Sequence, residues 1–156
     1  MKTITQSIDV AVPVRTAYNQ WTQFEEFPEF MQDVNRVEQL DDTTLRWEVG
    51  IAGAERTFET TITEQTPDQR VAWTTRPGSD TWHAGAVTFH RLDDGMTRVT
   101  LQMDVEPEDI VEKVGTALGI TSAYVKRDLD SFKEFIEARG EATGAWRGEI
   151  SQDPEA

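Results

Sequence analysis

The periodicity of the apolar residues changes once along this chain, near Pro107, and this change limits the folds that the sequence can form. Before Pro107, apolar and polar residues alternate in successive short segments, which is typical of β-strands with one buried face. After Pro107, apolar residues recur every three or four positions, as they do on one face of an α-helix. The pattern predicts an extended sheet followed by one long helix that packs on it.

Seven segments alternate in the manner of strands, and turn signals separate most of them. Asp93-Asp94-Gly95 is a strong hairpin signal, because Asp-Gly tolerates the positive φ angles of tight turns. Consecutive hairpins predict a curved, meandering antiparallel sheet. The predicted strands are residues 3–11, 33–40, 43–51, 55–65, 69–76, 82–92 and 96–105.

Aromatic residues follow the first predicted strand at the three- and four-residue spacing of helical turns. Pro28 interrupts this pattern, which therefore predicts two short helices that cross one end of the sheet as a lid. The regularly spaced aromatic residues are Tyr18, Trp21, Phe24 and Phe27.

The C-terminal helical stripe ends before Gly140. Gly119 weakens the early part of the stripe, so we expect a kink near this residue. Residues 141–156 have no period and are predicted to form a loose tail after a single domain at residues 1–140. The stripe comprises Ile110, Val114, Leu118, Thr121, Val125, Leu129, Phe132 and Ile136.

The composition excludes several kinds of partner. Fifteen basic and 29 acidic residues give a net charge of −14, so the chain repels phosphate backbones and we expect no nucleic-acid partner. No segment approaches the roughly 18 apolar residues of a membrane span, so we expect no stable membrane insertion. There is no cysteine and no signal-peptide pattern, and we expect a cytoplasmic protein, either a monomer or a dimer.

The sequence lacks the common motifs of catalytic and nucleotide-binding sites. It has no Gly-x-Ser-x-Gly elbow, no His-Glu-x-x-His, no phosphate-binding glycine loop and no dinucleotide fingerprint. His83 and His90 lie on opposite faces of one predicted strand and cannot easily bind one metal ion together. We therefore expect no metal and no cofactor.

The inner face of the predicted sheet and the helical stripe opposite it define a candidate cavity for an apolar ligand. Gly85, in the middle of a predicted strand, lacks a side chain and favours space at this position. The alternative is that all of these side chains pack into a solid core. The predicted ligand-binding residues are Trp47, Phe58, Trp73, His83, Val87, Phe89, Met103, Val114, Leu118, Thr121, Tyr124 and Val125.

His83 and Tyr124 are the candidate catalytic residues. An imidazole titrates near neutrality, so an inward His83 can act as a general base or as a hydrogen-bonding contact. Tyr124 and the inward threonines, including Thr60 and Thr75, can orient a carbonyl or phenol. A purely structural role remains the alternative for each. The Lys126-Arg127-Asp128 cluster is interpreted as a solvated helix face.

Three stretches of the chain resemble the polyketide cyclase/dehydrase family of the START/Bet v 1-like (SRPBCC) superfamily. They are Val12-Pro13 with the aromatic run to Phe30-Met31, Trp73 to Phe89 with Arg76-Pro77-Gly78-Ser79, and Val125 to Lys133. The resemblance implies an α+β helix-grip fold, in which a seven-stranded curved antiparallel sheet surrounds one long C-terminal helix and an apolar ligand lies between them. Family members include aromatase/cyclases and quinone- and lipid-binding proteins, so the resemblance implies a cavity without specifying a reaction.

The sequence leaves three functions open. The first is binding of a hydrophobic small molecule such as a lipid, a quinone or a polyketide-like aromatic compound. The second is a cyclase or dehydratase in which His83 and Tyr124 steer ring closure of a confined chain. The third is a stress-associated or interaction protein without a dedicated ligand, which docks partners through the N-terminal aromatic helices or the tail at Trp146.

Overall fold

Eight strands, the last of only two residues, and three helices form most of the part of the chain that the structure describes. The computed structural model describes residues 2–32, 34–51, 54–76, 83–105 and 122–151. Each of the seven predicted strands is confirmed, and its ends lie within one residue of the prediction. The elements are β1 (Lys2–Val10), α1 (Val14–Trp21), a 3-10 helix (Phe24–Glu29), β2 (Val34–Gln39), β3 (Thr44–Ile51), β4 (Ala54–Thr66), β5 (Arg70–Thr75), β6 (His83–Asp93), β7 (Met96–Val105), α2 (Ser122–Arg139) and β8 (Ile150–Ser151).

The strands form one curled antiparallel sheet. Its order is β1-β7-β6-β5-β4-β3-β2, so β2 to β7 follow one another as hairpins and β1 closes on β7. Bulges increase the local twist of strands and bend them, which helps this sheet to curl. The register shifts in β2, β4 and β6, between Val34 and Arg36, Ile62 and Glu64, and Arg91 and Asp93. The result is the helix-grip architecture.

Alternation in the strands separates a buried face from a solvated one. In β7, Val99 and Val105 are fully buried, whereas Arg98 and Gln102 on the opposite face are exposed. The same alternation buries His83 in β6 and leaves His90 exposed on the opposite face. The predicted phase of these strands is therefore confirmed, because a shift of one residue would exchange the two faces.

The N-terminal helices are held by aromatic packing. The Trp21 ring centre lies 5.4 Å from that of Phe27 and 5.0 Å from that of Phe132 on α2. Phe30 completes the cluster at 5.3 Å from Phe132. All four side chains are at most 5% exposed, so the predicted lid is part of the core.

Helix α2 docks through the predicted stripe. Val125, Leu129, Phe132 and Ile136 are all buried. The helix ends where the glycine signal predicts, because Gly140 adopts a φ of 75° and its amide donates to the Ile136 carbonyl at 2.8 Å. The predicted kink near Gly119 lies outside the described residues.

Residues 141–151 are attached to the sheet, which differs from the loose tail expected from the sequence. Ile150 and Ser151 form β8 and pair with β4 at Gln65 and Glu64. The β3–β4 pairing ends at Thr61, so β8 satisfies backbone groups on a β4 edge that β3 leaves uncovered. A two-residue strand has no periodicity, which is why the sequence did not reveal it.

Replacing the central aromatic residue of α2 should destabilise the fold strongly. Phe132→Ala removes a fully buried ring, and we expect it to lower the free energy of unfolding by about 3–5 kcal/mol. The matched control is Leu92→Ala, at a side chain that is 40% exposed, with an expected change within about 0.5 kcal/mol. Urea unfolding followed by circular dichroism measures both. A loss below about 1 kcal/mol for Phe132→Ala would contradict the packing described here.

Candidate functional site

A cavity of about 140 Å³ lies between the inner face of the sheet, the N-terminal helices and α2. An apolar cavity of roughly 150 Å³ is large enough to bind benzene. The lining is almost entirely aromatic and aliphatic, and its described residues are Trp21, Phe24, Phe27, Met31, Val34, Leu45, Trp47, Val49, Phe58, Ile62, Val71, Trp73, His83, Leu101, Met103, Val125 and Asp128.

Six of the predicted ligand-binding residues line this cavity. They are Trp47, Phe58, Trp73, His83, Met103 and Val125. Val114, Leu118 and Thr121 lie outside the described residues, as does the side chain of Tyr124, whose backbone belongs to α2.

Val87 and Phe89 were predicted to line the cavity, but they lie in the packed core beside it. Both are buried, and the Phe89 ring lies 5.4 Å from Tyr18 and 6.4 Å from Trp21. For Phe89 the physical reason is that the Tyr18 and Trp21 rings of α1 pack against it and separate it from the cavity. Alternation in the sequence predicts on which face of the sheet a side chain lies. The packing of the helices on that face determines which of its side chains border the cavity.

The sequence analysis missed two parts of the wall. Trp21, Phe24 and Phe27 line the cavity as well as closing the core, and their helical spacing beside the predicted sheet was the signal for this. Asp128 also lines the cavity, although its cluster was interpreted as a solvated face. Its position three residues after Val125 places it near the same side of α2.

His83 is a buried polar group in the wall. The side chain is 4% exposed, and its ring meets the Phe58 ring edge-on at 5.0 Å. Burial lowers the pKa of His83 from 6.5 to about 4. The imidazole is therefore neutral at pH 7, with one donor and one acceptor. Its Nδ1 is buried without a hydrogen-bond partner among the described residues.

The hydroxyl groups of the inward-facing Thr60 and Thr75 form hydrogen bonds with other groups of the protein. Thr60 Oγ1 accepts a hydrogen bond from Trp47 Nε1 at 2.9 Å, and Thr75 Oγ1 accepts one from the His83 backbone amide at 3.3 Å. The first bond holds the Trp47 indole stacked on Phe58, with 13° between the ring planes. These hydroxyls thus orient the cavity wall.

Gly85 makes room for a ring rather than for a ligand. It pairs with Trp73 across β5 and β6, and a Cβ built on Gly85 would lie 2.5 Å from Trp73 Cζ2. The indole therefore lies over the glycine, where no side chain could fit beneath it. The sequence-based interpretation of Gly85 as empty space was wrong, because the large partner on the next strand uses that space.

Asp128 supplies the second titratable group of the described lining. Its side chain is 25% exposed, and its Oδ1 lies 3.9 Å from Arg127 Nη2. His83 on the sheet and Asp128 on α2 thus give an otherwise apolar wall two polar positions.

Within the described ranges, no group of three or more His, Asp or Glu side chains could hold a metal ion. None of the helices there has the length and apolarity needed to cross a membrane.

The buried neutral His83 should make stability depend on pH. Its pKa is about 4 in the folded chain and near 6.5 when unfolded, so below pH 6.5 the unfolded state binds more protons. Stability is therefore lost as pH falls from 6.5 towards 4, by about 2 kcal/mol between pH 7.5 and pH 5. Urea unfolding at both pH values should show this loss, and His83→Gln should remove it.

His90→Gln is the matched control, because His90 is exposed on the same strand. It should leave the pH dependence of the wild type unchanged. An equal pH dependence in wild type and His83→Gln would show that His83 is not held neutral by burial.

A family model described as polyketide cyclase / dehydrase and lipid transport matches residues 10–136, which is more than half of the chain. A curated relative is 54% identical over 150 residues, covering 96% of this chain and 99% of its own. It is an uncharacterized 17.2 kDa protein encoded in the melC2-rnhH intergenic region of Streptomyces lincolnensis.

Two solved structures have the same fold. The Zhui aromatase/cyclase from Streptomyces sp. R1128 has a TM-score of 0.73 at 16% identity, over 93% of this chain and 99% of its own. A START superfamily protein from Mycobacterium smegmatis has a TM-score of 0.67 at 16% identity, over 88% and 95%. At these identities the similarity is one of fold.

Proposed function

Because the chain belongs to the polyketide cyclase/dehydrase and lipid transport family, we propose that it binds a hydrophobic small molecule in the cavity between the sheet and α2. The ligand class comprises lipids, quinones and polyketide-like aromatic compounds. The observation that supports this proposal most directly is the lining, in which aromatic and aliphatic side chains surround His83 and Asp128. An apolar wall with few polar groups is typical of small-molecule sites.

The size of the cavity sets what it can hold without rearrangement. Its volume of about 140 Å³ suits one aromatic ring or the end of an aliphatic chain. Pockets for larger ligands usually measure roughly 300–1,000 Å³. A multi-ring compound would therefore require the wall to move, and the N-terminal helices, which contribute Trp21, Phe24 and Phe27, are short elements of that wall.

His83 favours a ligand with one polar group. Leaving a buried polar atom without a partner costs about 1–3 kcal/mol, and a ligand that bonds to Nδ1 recovers part of this cost. A hydroxyl can donate to the imidazole acceptor, and a carbonyl can accept from its N–H. The expected ligand is therefore apolar with a hydroxyl or carbonyl that reaches His83.

Binding agrees better with the site than general-base catalysis does. A general base works best when its pKa lies near the working pH, and burial lowers the pKa of His83 to about 4. A cyclase or dehydratase is the second candidate, favoured by the Nδ1 of His83, which has no hydrogen-bond partner among the described residues. In that function, neutral His83 would polarise a carbonyl while the wall confines the chain.

The hypothesis of an interaction protein without a ligand is weakened, because the aromatic side chains of the N-terminal helices are buried. Its docking candidates were the N-terminal aromatic helices and the tail at Trp146, and of these the helical residues Trp21, Phe24, Phe27 and Phe30 are all at most 5% exposed. Aromatic side chains that close a core cannot at the same time present an apolar patch to a partner.

Filling the cavity should abolish binding without unfolding the chain. Val49 lines the cavity, so Val49→Phe should weaken binding of toluene at least roughly tenfold, because it occupies ligand space. Val14→Phe is the matched control, since Val14 packs against the core without lining the cavity. Isothermal titration calorimetry measures the affinity, and circular dichroism confirms folding. Equal losses in both variants would place the ligand elsewhere.

Phenol and toluene have nearly the same shape, but only phenol has a hydroxyl that can form a hydrogen bond with His83. Comparing their affinities therefore separates this hydrogen bond from the apolar contacts with the wall. His83→Phe should weaken phenol binding about five- to tenfold, the value of one hydrogen bond, and leave toluene affinity within about twofold. The same calorimetry measures both ligands. An unchanged ratio of phenol to toluene affinity would show that His83 does not contact the ligand hydroxyl.

A further inference from the structure

Residues 143–151, here called the C-terminal strap, cross the outer side of α1. The Thr143 amide donates to Gln20 Oε1 at 2.8 Å, and Thr143 Oγ1 accepts from Gln20 Nε2 at 3.1 Å. The Trp146 amide donates to Thr22 Oγ1 at 3.1 Å. Gln20 is fully buried, so the strap satisfies a side-chain amide that would otherwise lack partners. The strap also lies beyond residue 136, where the family match ends.

Arg147 joins α1 to the turn between β4 and β5. Its Nη1 donates to Asn19 Oδ1 at 2.7 Å, and its Nη2 donates to Asp68 Oδ2 at 2.8 Å. The guanidinium carbon also lies 5.4 Å from the centre of the Tyr18 ring, within cation–π range. One side chain in the strap therefore contacts both the helix and the sheet.

Two glycines in the strap lie close to neighbouring side chains. A Cβ on Gly144 would lie 2.6 Å from Oε1 of Gln23, which follows α1, and a Cβ on Gly148 would collide with the Trp146 ring of the strap itself. The strap packs against the C-terminal end of α1 through its hydrogen bonds, and β8 fastens its end to β4.

The opposite side of the same helical turns borders the cavity. Trp21 lines the cavity, while its neighbours Gln20 and Thr22 hold the strap. Helix α1 has eight residues and no side-chain cap at its N-terminus. A helix this short is not stable by itself, so its position depends on the contacts made on its two sides.

We propose that the C-terminal strap is a latch that sets how readily the α1 wall opens to admit a ligand, with Arg147 as its main positioning residue. The inference rests on the proposed function, because it concerns access to the same cavity. A ligand much larger than about 140 Å³ requires part of the cavity wall to move, and α1 contributes Trp21 to that wall. Releasing the strap should therefore change the rates of entry and exit more than the affinity.

The test compares Arg147→Ala and Arg147→Lys with the wild type. Amide hydrogen exchange over residues 14–29 reports opening of the wall, and stopped-flow fluorescence of N-phenyl-1-naphthylamine reports ligand entry and exit. For Arg147→Ala we expect both exchange and the two probe rates to rise roughly tenfold, with Kd changed less than about threefold. Lysine should give an intermediate result, because a single ammonium cannot reproduce the planar fork of the guanidinium.

Arg98→Ala is the matched control. Arg98 forms an ion pair with Asp9 at 2.8 Å between β1 and β7, and among the described residues its side chain bonds to Asp9 and not to α1 or the strap. Its removal should leave both the exchange of residues 14–29 and the probe rates at wild-type values. An equal effect of Arg98→Ala would attribute the change to general loss of stability and overturn the latch.

Other outcomes also decide the proposal. The amide exchange of residues 14–29 can be unchanged from the wild type both in Arg147→Ala and in a chain that lacks residues 143–156. This result would show that the strap does not hold α1. Faster exchange with unchanged probe rates would show that the wall is not the route of entry. If wild type bound neither this probe nor toluene, the proposed function would be wrong, and faster exchange would still support the latch on α1.

Discussion

The edge-to-face contact between Trp21 and Phe132 is the interaction on which the rest of the molecule depends. It joins α1 to α2 with ring centres 5.0 Å apart, and both rings are almost fully buried. Phe89 approaches the other side of Trp21 at 6.4 Å, so the same indole also fixes α1 to the sheet. On one side of this cluster the interior is solid, and on the other side the rings form the wall of a cavity.

This arrangement explains why the cavity is apolar and small. The rings around it pack edge-on or tilted against one another, and together with aliphatic side chains they line a space of about 140 Å³. The polar groups nearby are mostly engaged, as in the Trp47–Thr60 hydrogen bond, and the His83 imidazole is kept neutral by burial. A wall of this kind recognises ligand shape and one hydrogen-bonding group, which agrees better with a binding site than with strong acid–base chemistry.

The strands and the course of α2 could be predicted from the sequence because burial on one side imposes a period. That period does not say which part of an inner face borders a cavity, so Val87 and Phe89 were assigned to the cavity although both lie in the packed core beside it. It also does not reveal Asp128, since a cavity wall accepts a polar group beside the apolar stripe.

The C-terminal strap was missed for a related reason. Its contacts are hydrogen bonds between residues far apart in the sequence, such as Thr143 with Gln20, 123 positions away, and Arg147 with Asp68, 79 positions away, and these leave no local pattern. Gly144 and Gly148 resemble loop residues in the sequence, whereas in the structure they allow close approach to Gln23 and Trp146. Tertiary contacts of this kind require coordinates, because neither propensity nor periodicity records them.

The most direct test of the account is a crystal structure of the protein under xenon pressure, because xenon enters dry apolar cavities and avoids solid cores. The account predicts xenon among Trp21, Phe27, Trp47 and Met103, with these side chains unmoved. A structure without xenon at this position, in which the rings meet and fill the space, would contradict the existence of the cavity and with it the proposed ligand site.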